Sequence, residues 1–206
     1  MRFTDIYQKL GRSYFSLAEL KNLDSSKTTS VNISHWIKNG RIIRLKKNLY
    51  LLKDYQRSFS PFEIAGILLQ PSYISMETAM HYFYELIPDI PMITTSITTK
   101  KTQTIHNDFG TFVYQHLPPK LFFEIEDKKT HQLASREKTL LDFLYLHSSR
   151  MKPDDECWKS ERFQNLETIN WNRLKKDSYL FSQKKLVRLV ESLESYFKSK
   201  SYDDYR

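Results

Sequence analysis

The stretch between Thr28 and Tyr50, TTSVNISHWIKNGRIIRLKKNLY, constrains the fold more than any other part of the chain. Its first half places Ile33, Trp36 and Ile37 on one face of a helix and polar residues on the other faces. A glycine, a residue that commonly ends a helix, follows within a few positions. The sequence therefore predicts a short helix with one buried face and one open face.

The second half of this stretch alternates between apolar and other residues from Ile43 to Leu51, as a pair of strands does. Only Lys46, Lys47 and Asn48 form a polar break in it. Asn48 falls where a hairpin tip needs a positive φ, which asparagine tolerates better than most residues. We therefore expect a short hairpin with a basic tip. A helix followed by such a hairpin is typical of the recognition end of a winged helix-turn-helix.

Two further helices are predicted before this stretch. Residues 3–10 form the first, and Ser16 with Glu19 matches a capping box that starts a second helix ending near Leu23. Three helices and a hairpin make residues 1–57 a candidate winged helix-turn-helix DNA-binding domain. A unit of this size is only marginally stable alone, so we expect it to lean on the chain that follows.

The distribution of charge supports this interpretation. Residues 1–57, called the N-terminal unit below, carry 12 Lys and Arg against 4 Asp and Glu, whereas residues 58–206, the C-terminal unit, carry 20 of each. The whole net charge of +8 therefore belongs to the first quarter of the chain. A basic surface confined to one small module is the pattern expected for binding a polyanion.

Candidate DNA contacts follow from these elements. The exposed side of the third helix would enter the major groove, and the hairpin would reach phosphates or a minor groove. The alternative is that the hairpin lysines are ordinary solvated charges that protect a strand edge from aggregation. The candidate residues are Thr28, Thr29, Ser30, Asn32, His35, Lys38, Arg41, Arg44, Lys46, Lys47 and Asn48.

The C-terminal unit is predicted to be a mixed α/β domain with a small antiparallel or mixed sheet, which makes the chain α+β. Helices are expected after Pro61, after Ser75, after Ser135 and at the C-terminus, where an apolar stripe packs on its own domain. The helix after Ser135 is apolar on nearly every side and belongs in the middle of the domain. Strands are expected at 92–99, where one face is exposed, and at 111–116, 121–126 and 131–134.

Composition disfavours several classes of protein. The single cysteine, Cys157, excludes an internal disulfide framework and suits a reducing cytoplasm. No apolar run approaches the roughly 20 residues that span a bilayer, and no signal-peptide core is visible. The four glycines are not spaced as a phosphate-binding loop, and the six histidines are too dispersed for a metal motif. We therefore expect a cytoplasmic, non-enzymatic protein without cofactor or metal.

Motifs of the C-terminal unit carry a resemblance to a known family. They are Pro71 to Ser75 (PSYIS), Leu86 to Pro88 (LIP), Thr98 to Lys101 (TTKK) and Ala134 to Asp142 (ASREKTLLD). In this order, and after the GRIIRL stretch that begins at Gly40, they resemble the abortive-infection antitoxins of the AbiE type IV toxin–antitoxin systems. The likeness covers roughly residues 3 to 150.

The resemblance implies a function for each unit. The winged helix would bind operator DNA, with inverted repeats expected, and repress its own operon. The C-terminal unit would neutralise a separate nucleotidyltransferase-like toxin. Lys100, Lys101, Arg136 and Lys138 lie within the motifs and are candidates for an antitoxin surface. The alternatives are a winged-helix regulator whose second domain senses an unrelated ligand or protein and, less favoured, a nuclease or modification-associated enzyme.

Overall fold

The computed structural model describes residues 5–23 and 29–203 and shows an α+β protein. Its N-terminal unit begins with helix α1 (Asp5–Leu10), strand β1 (Tyr14–Ser16), helix α2 (Leu17–Leu23), helix α3 (Thr29–Lys38), strand β2 (Ile42–Lys46) and strand β3 (Leu49–Leu52). The three strands form an antiparallel sheet in the order β1-β3-β2.

The capping box predicted at the start of α2 is confirmed. The backbone N–H of Ser16 donates to the Glu19 carboxylate at 2.7 Å, and the backbone N–H of Glu19 donates to the Ser16 hydroxyl at 3.2 Å. Arg12 adds an ion pair to the same carboxylate. Because the Ser16 backbone N–H and the Arg12 guanidinium favour the ionised form, the pKa of Glu19 lies below its usual value.

The two faces of the three-stranded sheet have different neighbours. Phe15, Ile42, Tyr50 and Leu52 pack with the helices in a cluster that also holds Ile6, Leu20, Ile33 and Trp36. The opposite face, which carries Ile43, Leu45 and Leu51, packs on the C-terminal unit in one cluster with Ile64, Leu68 and Phe112. The expectation that the N-terminal unit leans on its successor is therefore confirmed, because the two units share a core.

The C-terminal unit contains six helices and six strands among its described residues. A 3₁₀ segment (Lys53–Ser58) leads into it. Its helices are α4 (Pro61–Leu68), α5 (Met76–Tyr82), α6 (Arg136–Leu146), α7 (Asp155–Glu161), α8 (Trp171–Ser178) and α9 (Lys184–Asp203). Its strands are β4 (Ser72–Ile74), β5 (Ile93–Thr98), β6 (Gln103–Asn107), β7 (Gly110–His116), β8 (Ile125–Asp127) and β9 (Gln132–Ala134). They form one mixed sheet in the order β6-β7-β5-β4-β9-β8.

The helices of this unit are largely as predicted. Ser135 caps α6 by accepting a hydrogen bond from the backbone N–H of Lys138 at 3.3 Å, and every residue from Glu137 to Leu144 is buried. Helix α6 is thus central to the unit. The apolar stripe of α9 is buried against the same core, at Leu186, Leu189, Val190 and Leu193.

The strand predictions are less accurate. The sequence does not predict β4, β6 or, in the N-terminal unit, β1. Residue 121 ends a 3₁₀ turn (Pro119–Leu121), and strand pairing begins only at Ile125. The prediction that β5 exposes one face is wrong, because β5 is an interior strand and most of its residues are buried. Two of its hydroxyls donate inside the protein, Thr95 to the Ser75 carbonyl at 2.9 Å and Thr98 to the Pro71 carbonyl at 2.7 Å.

Candidate nucleic-acid interface

Helix α3 has one buried face and a well-defined C-terminal end. Ile33 and Trp36 are buried among the other helices, whereas Ile37, which the sequence placed with them, is 39% exposed at the margin of the last turn. Gly40 then ends the helix with φ at 65°. Its N–H donates to the Ile37 carbonyl at 3.0 Å, and the Arg41 N–H donates to the Trp36 carbonyl at 2.8 Å. This is the Schellman motif that a left-handed glycine permits.

The open side of α3 carries polar groups. His35 and Lys38 are exposed, Asn32 is half-buried, and Val31 is 68% exposed. The His35 ring contacts the amide nitrogen of Asn39 at 3.1 Å, one turn further along. Thr29 and Ser30 belong to the first turn of α3, and Thr28 lies outside the described residues.

The β2–β3 hairpin turns through Lys47 and Asn48, as predicted. Asn48 has φ at 62°, in agreement with the positive φ expected there. Its carbonyl accepts a hydrogen bond from the backbone N–H of Leu17 at 2.9 Å, which ties the turn to the start of α2. Lys47 and Asn48 themselves are exposed. The hairpin tip is therefore anchored by its backbone while its side chains face water.

Arg44 lies on the helix side of the three-stranded sheet. It pairs in register with Tyr50, so its side chain is on the face that packs against the helices and not on the face that packs against the C-terminal unit. It is exposed, as is Arg41 just before β2. Arg44 is therefore not on the face that the C-terminal unit covers, and its side chain is open to solvent.

Lys46 does not have the position expected of a DNA contact. A register shift between Arg44 and Lys46 redirects the strand, and the Lys46 ammonium donates to the carbonyl of Leu68 in the C-terminal unit. Burial and the nearby charge of Lys100 lower the pKa of Lys46. This contact belongs to the interface between the two units. A hydrogen bond of 3.1 Å from the Asn107 amide to the Leu45 carbonyl lies at the same interface.

The four residues proposed as an antitoxin surface are not equivalent. Lys100 and Lys101 are exposed at the turn between β5 and β6. Arg136 is half-buried, donates to the Thr168 carbonyl at 2.9 Å and lies 5.4 Å from the centre of the Tyr84 ring. Lys138 is fully buried, so its placement on a surface is wrong. The physical reason is that α6 is enclosed on nearly every side.

Lys138 is held in a buried polar network. It forms an ion pair with Asp142, one turn along α6, and its ammonium donates to the Tyr73 hydroxyl at 2.9 Å. The other carboxylate oxygen accepts from the hydroxyls of Tyr73, at 3.0 Å, and Ser75, at 2.8 Å. The sequence predicts that Ser75 caps α5. Ser75 directly precedes the helix, but its hydroxyl donates to Asp142 and makes no cap hydrogen bond. Burial raises the pKa of Asp142 and lowers that of Lys138, against their mutual attraction.

This network was visible in the sequence only as a spacing. Lys138 and Asp142 are four residues apart in a run that is otherwise strongly apolar, and that spacing places them on one side of a helix. A charged pair inside such a run is the available signal for a buried ion pair. The partners Tyr73 and Ser75 come from a distant part of the chain and had no signal in the sequence.

Comparison with protein-family models gives no match, and comparison with curated proteins gives none either. Among the described residues, no three His, Cys, Asp or Glu side chains come together as a metal site. Within the same residues, no helix has both the length and the apolar character needed to cross a membrane.

Proposed function

We propose that this chain binds operator DNA through a winged helix-turn-helix and acts as the antitoxin of an AbiE-type toxin–antitoxin pair. One observation carries the DNA-binding part. The open side of α3, Arg44 and the turn of the β2–β3 hairpin are each exposed, and they belong to the unit that holds the whole net charge of +8. A basic surface of this kind, beside a neutral remainder, suits a polyanion.

The order of elements supports the same proposal. Helices α1 to α3 with β1, β2 and β3 follow the arrangement of a winged helix-turn-helix, in which the third helix reads the major groove. Asn32, His35 and Lys38 would contact base edges or adjacent phosphates from α3. Arg44 and Lys47 would contact phosphates or the minor groove. Lys46, whose ammonium is bonded inside the protein, would add little.

The DNA-binding proposal is tested with the full chain and the promoter region upstream of its own reading frame. Fluorescence anisotropy should show that the logarithm of the affinity falls linearly with the logarithm of the salt concentration. The slope should be about -5 if about six phosphates are neutralised. A triple variant, Lys38→Ala/Arg44→Ala/Lys47→Ala, should reduce that slope by about three.

A matched control removes the same charge elsewhere. The triple variant Lys120→Ala/Lys152→Ala/Lys184→Ala changes three exposed lysines of the C-terminal unit. It should leave both affinity and salt dependence close to those of the unaltered chain. Equal effects from the two triple variants would mean that net charge alone governs binding, and a slope near zero would exclude DNA as the ligand.

The antitoxin part rests on the resemblance and is tested by growth. The proposal expects a nucleotidyltransferase-like toxin to be encoded beside this chain, and co-expression of the two should restore growth that the toxin alone prevents. The variant deficient in DNA binding, Lys38→Ala/Arg44→Ala/Lys47→Ala, should still restore it when both genes are placed under foreign promoters. Full-length variants are preferable to a fragment of residues 58–206, because a fragment would expose the apolar cluster shared with β2 and β3.

The outcome also distinguishes the alternative regulator. A chain that binds its promoter but fails to restore growth would be a winged-helix repressor whose C-terminal unit has another task. A chain that restores growth without binding the promoter would keep the antitoxin assignment and remove autorepression.

A further inference from the structure

A cavity of about 260 Å³ lies in the C-terminal unit, on the side of the sheet away from the N-terminal unit. Val113 of β7 contributes to its wall, whereas the neighbouring Phe112 and Tyr114 point to the opposite face and join the cluster shared with β2 and β3. Helix α5 and the end of α6 contribute Met76, Glu77 and His147 to its lining. Its walls are mainly apolar, with Met76, Ile90, Pro91, Ile93 and Val113.

Two titratable side chains face each other at this cavity. Glu77 in the first turn of α5 and His147 at the end of α6 both line it, with the Glu77 Oε1 atom 3.8 Å from the His147 Nε2 atom. That distance is too long for a hydrogen bond. Burial raises the pKa of Glu77 and lowers the pKa of His147. The imidazole is therefore a poor counter-charge for the carboxylate.

Other groups do not supply that counter-charge directly. Arg150 is close enough to influence both side chains, but its guanidinium is directed to Glu161, at 3.6 Å. The His147 Nδ1 atom is buried and has no hydrogen-bond partner within the described ranges. Glu77 thus places a carboxylate at an apolar cavity with no directly bonded cation in the described part of the chain.

We propose that this cavity binds a small molecule that carries an ammonium group on a short apolar body. The ammonium would bond to the Glu77 carboxylate, and the apolar body would lie against Ile93 and Val113. The carboxylate disfavours an anionic ligand at the same place. The volume lies just below the usual range for drug-sized ligands, which restricts the ligand to a small amine.

The first test uses the unaltered full-length protein and two probes of similar shape. Benzylamine is an ammonium ion at neutral pH, whereas benzyl alcohol is neutral. Calorimetric titration at neutral pH should show saturable binding of benzylamine at least about tenfold tighter than benzyl alcohol, because a hydrogen bond between charged groups is stronger than one from a neutral hydroxyl. Absence of saturable binding, or equal affinity for the two probes, would overturn the proposal.

The second test uses variants. Glu77→Gln preserves the shape of the side chain and should lower the benzylamine affinity by at least about tenfold, with little change for benzyl alcohol. The matched control is Glu156→Gln, which alters an exposed carboxylate in the first turn of α7 and should have no effect. Val113→Phe fills the cavity from its wall and should weaken both probes. Unchanged benzylamine binding in Glu77→Gln would refute the site.

An ammonium group also occurs at the end of a lysine side chain, so a third probe separates the two sources. The peptide acetyl-Ala-Lys-Ala-amide should bind more weakly than benzylamine, because its aliphatic stem fills the apolar walls less completely and it carries backbone that the cavity cannot hold. A peptide that binds more tightly than the free amine would assign the cavity to a protein segment and overturn the small-molecule proposal.

Discussion

The two units of this chain treat charge differently. In the N-terminal unit, Lys38, Arg44 and Lys47 are exposed and none of them has an acidic partner in the part of the chain that the structure describes. In the C-terminal unit, charges are balanced in number and many are paired, as in the buried pair of Lys138 and Asp142.

A second group shows the same pairing nearer the surface. Glu194 of α9 is 7% exposed and takes ion pairs from both Lys175 and Lys198. Burial opposes ionisation of this carboxyl, but the two ammonium groups prevail and the pKa of Glu194 is lowered. The difference between the units is therefore one of balance. The acidic residues of the C-terminal unit equal its basic ones in number, whereas the N-terminal unit has 12 basic residues against 4 acidic ones. Under the DNA-binding proposal, phosphates would offset that excess.

The largest effect is expected from breaking the buried pair. Lys138→Met or Asp142→Leu alone leaves one buried charge without its partner and should lower the free energy of unfolding by about 3–5 kcal/mol. The double variant removes both charges and should cost much less. Urea unfolding measures each value. The control Lys120→Met alters an exposed lysine and should stay within about 0.5 kcal/mol of the unaltered chain. Single variants with similarly small effects would contradict the role of the pair.

The next largest effect tests whether the two units are stabilised together. Leu45→Ala removes a fully buried side chain from the cluster that joins them and should cost about 2–5 kcal/mol. Hydrogen exchange read by mass spectrometry should then show lost protection in peptides from both units. The matched control Ile6→Ala removes one buried side chain from the cluster confined to the N-terminal unit and should lower protection mainly in that unit. If both variants lost hydrogen-exchange protection only in the N-terminal unit, the two units would be stabilised independently of each other.

Local patterns predicted the N-terminal elements well. The Ser16–Glu19 box, the stop at Gly40 and the positive φ at Asn48 each depend on a few neighbouring residues, and all three are confirmed. Strands β1 and β4 were missed because each has only three residues and pairs with segments distant in the sequence; β1 pairs with β3, and β4 lies between β5 and β9. Strand β6 pairs with β7 across a short turn, but it is a mainly polar edge strand and has no apolar alternation to reveal it.

Side-chain environments were harder to predict than elements. Lys46 and Lys138 each looked like a surface lysine in the sequence, yet one bonds to the Leu68 carbonyl and the other to Asp142 in the core. The Lys46 contact depends on which segments pack together, and the local sequence pattern does not contain that information. For Lys138, only the spacing to Asp142 in an apolar run was a signal, and the partners Tyr73 and Ser75 had none. The same limit applies to the cavity beside Glu77, whose walls come from α5, β5, β7 and α6.

A smaller effect is expected from the one strongly paired acid in the described part of the N-terminal unit. Ser16→Ala removes the cap of α2 and should lower the free energy of unfolding by about 1 kcal/mol at neutral pH. Because the folded protein lowers the pKa of Glu19, its contribution is present above the ordinary carboxyl pKa and is lost as pH falls through the lowered value. For Glu19→Gln, which removes the ionisable carboxyl, urea unfolding at pH 7 and in acid should therefore show a smaller cost in acid. The control Ser58→Ala alters an exposed serine and should change neither value.

The smallest effect separates two adjacent lysines and bears most directly on the comparison of paired and unpaired charge. Lys47→Ala should reduce the salt slope of promoter binding by about one, because its exposed ammonium would neutralise a phosphate. Lys46→Ala should leave the slope unchanged, since that ammonium already bonds to the Leu68 carbonyl. The two variants remove the same charge one residue apart, so each is the control for the other. An equal decrease of the salt slope in both variants would show that Lys46 leaves the interface between the units when DNA binds. A decrease in Lys46→Ala alone would place the DNA on the side of the C-terminal unit.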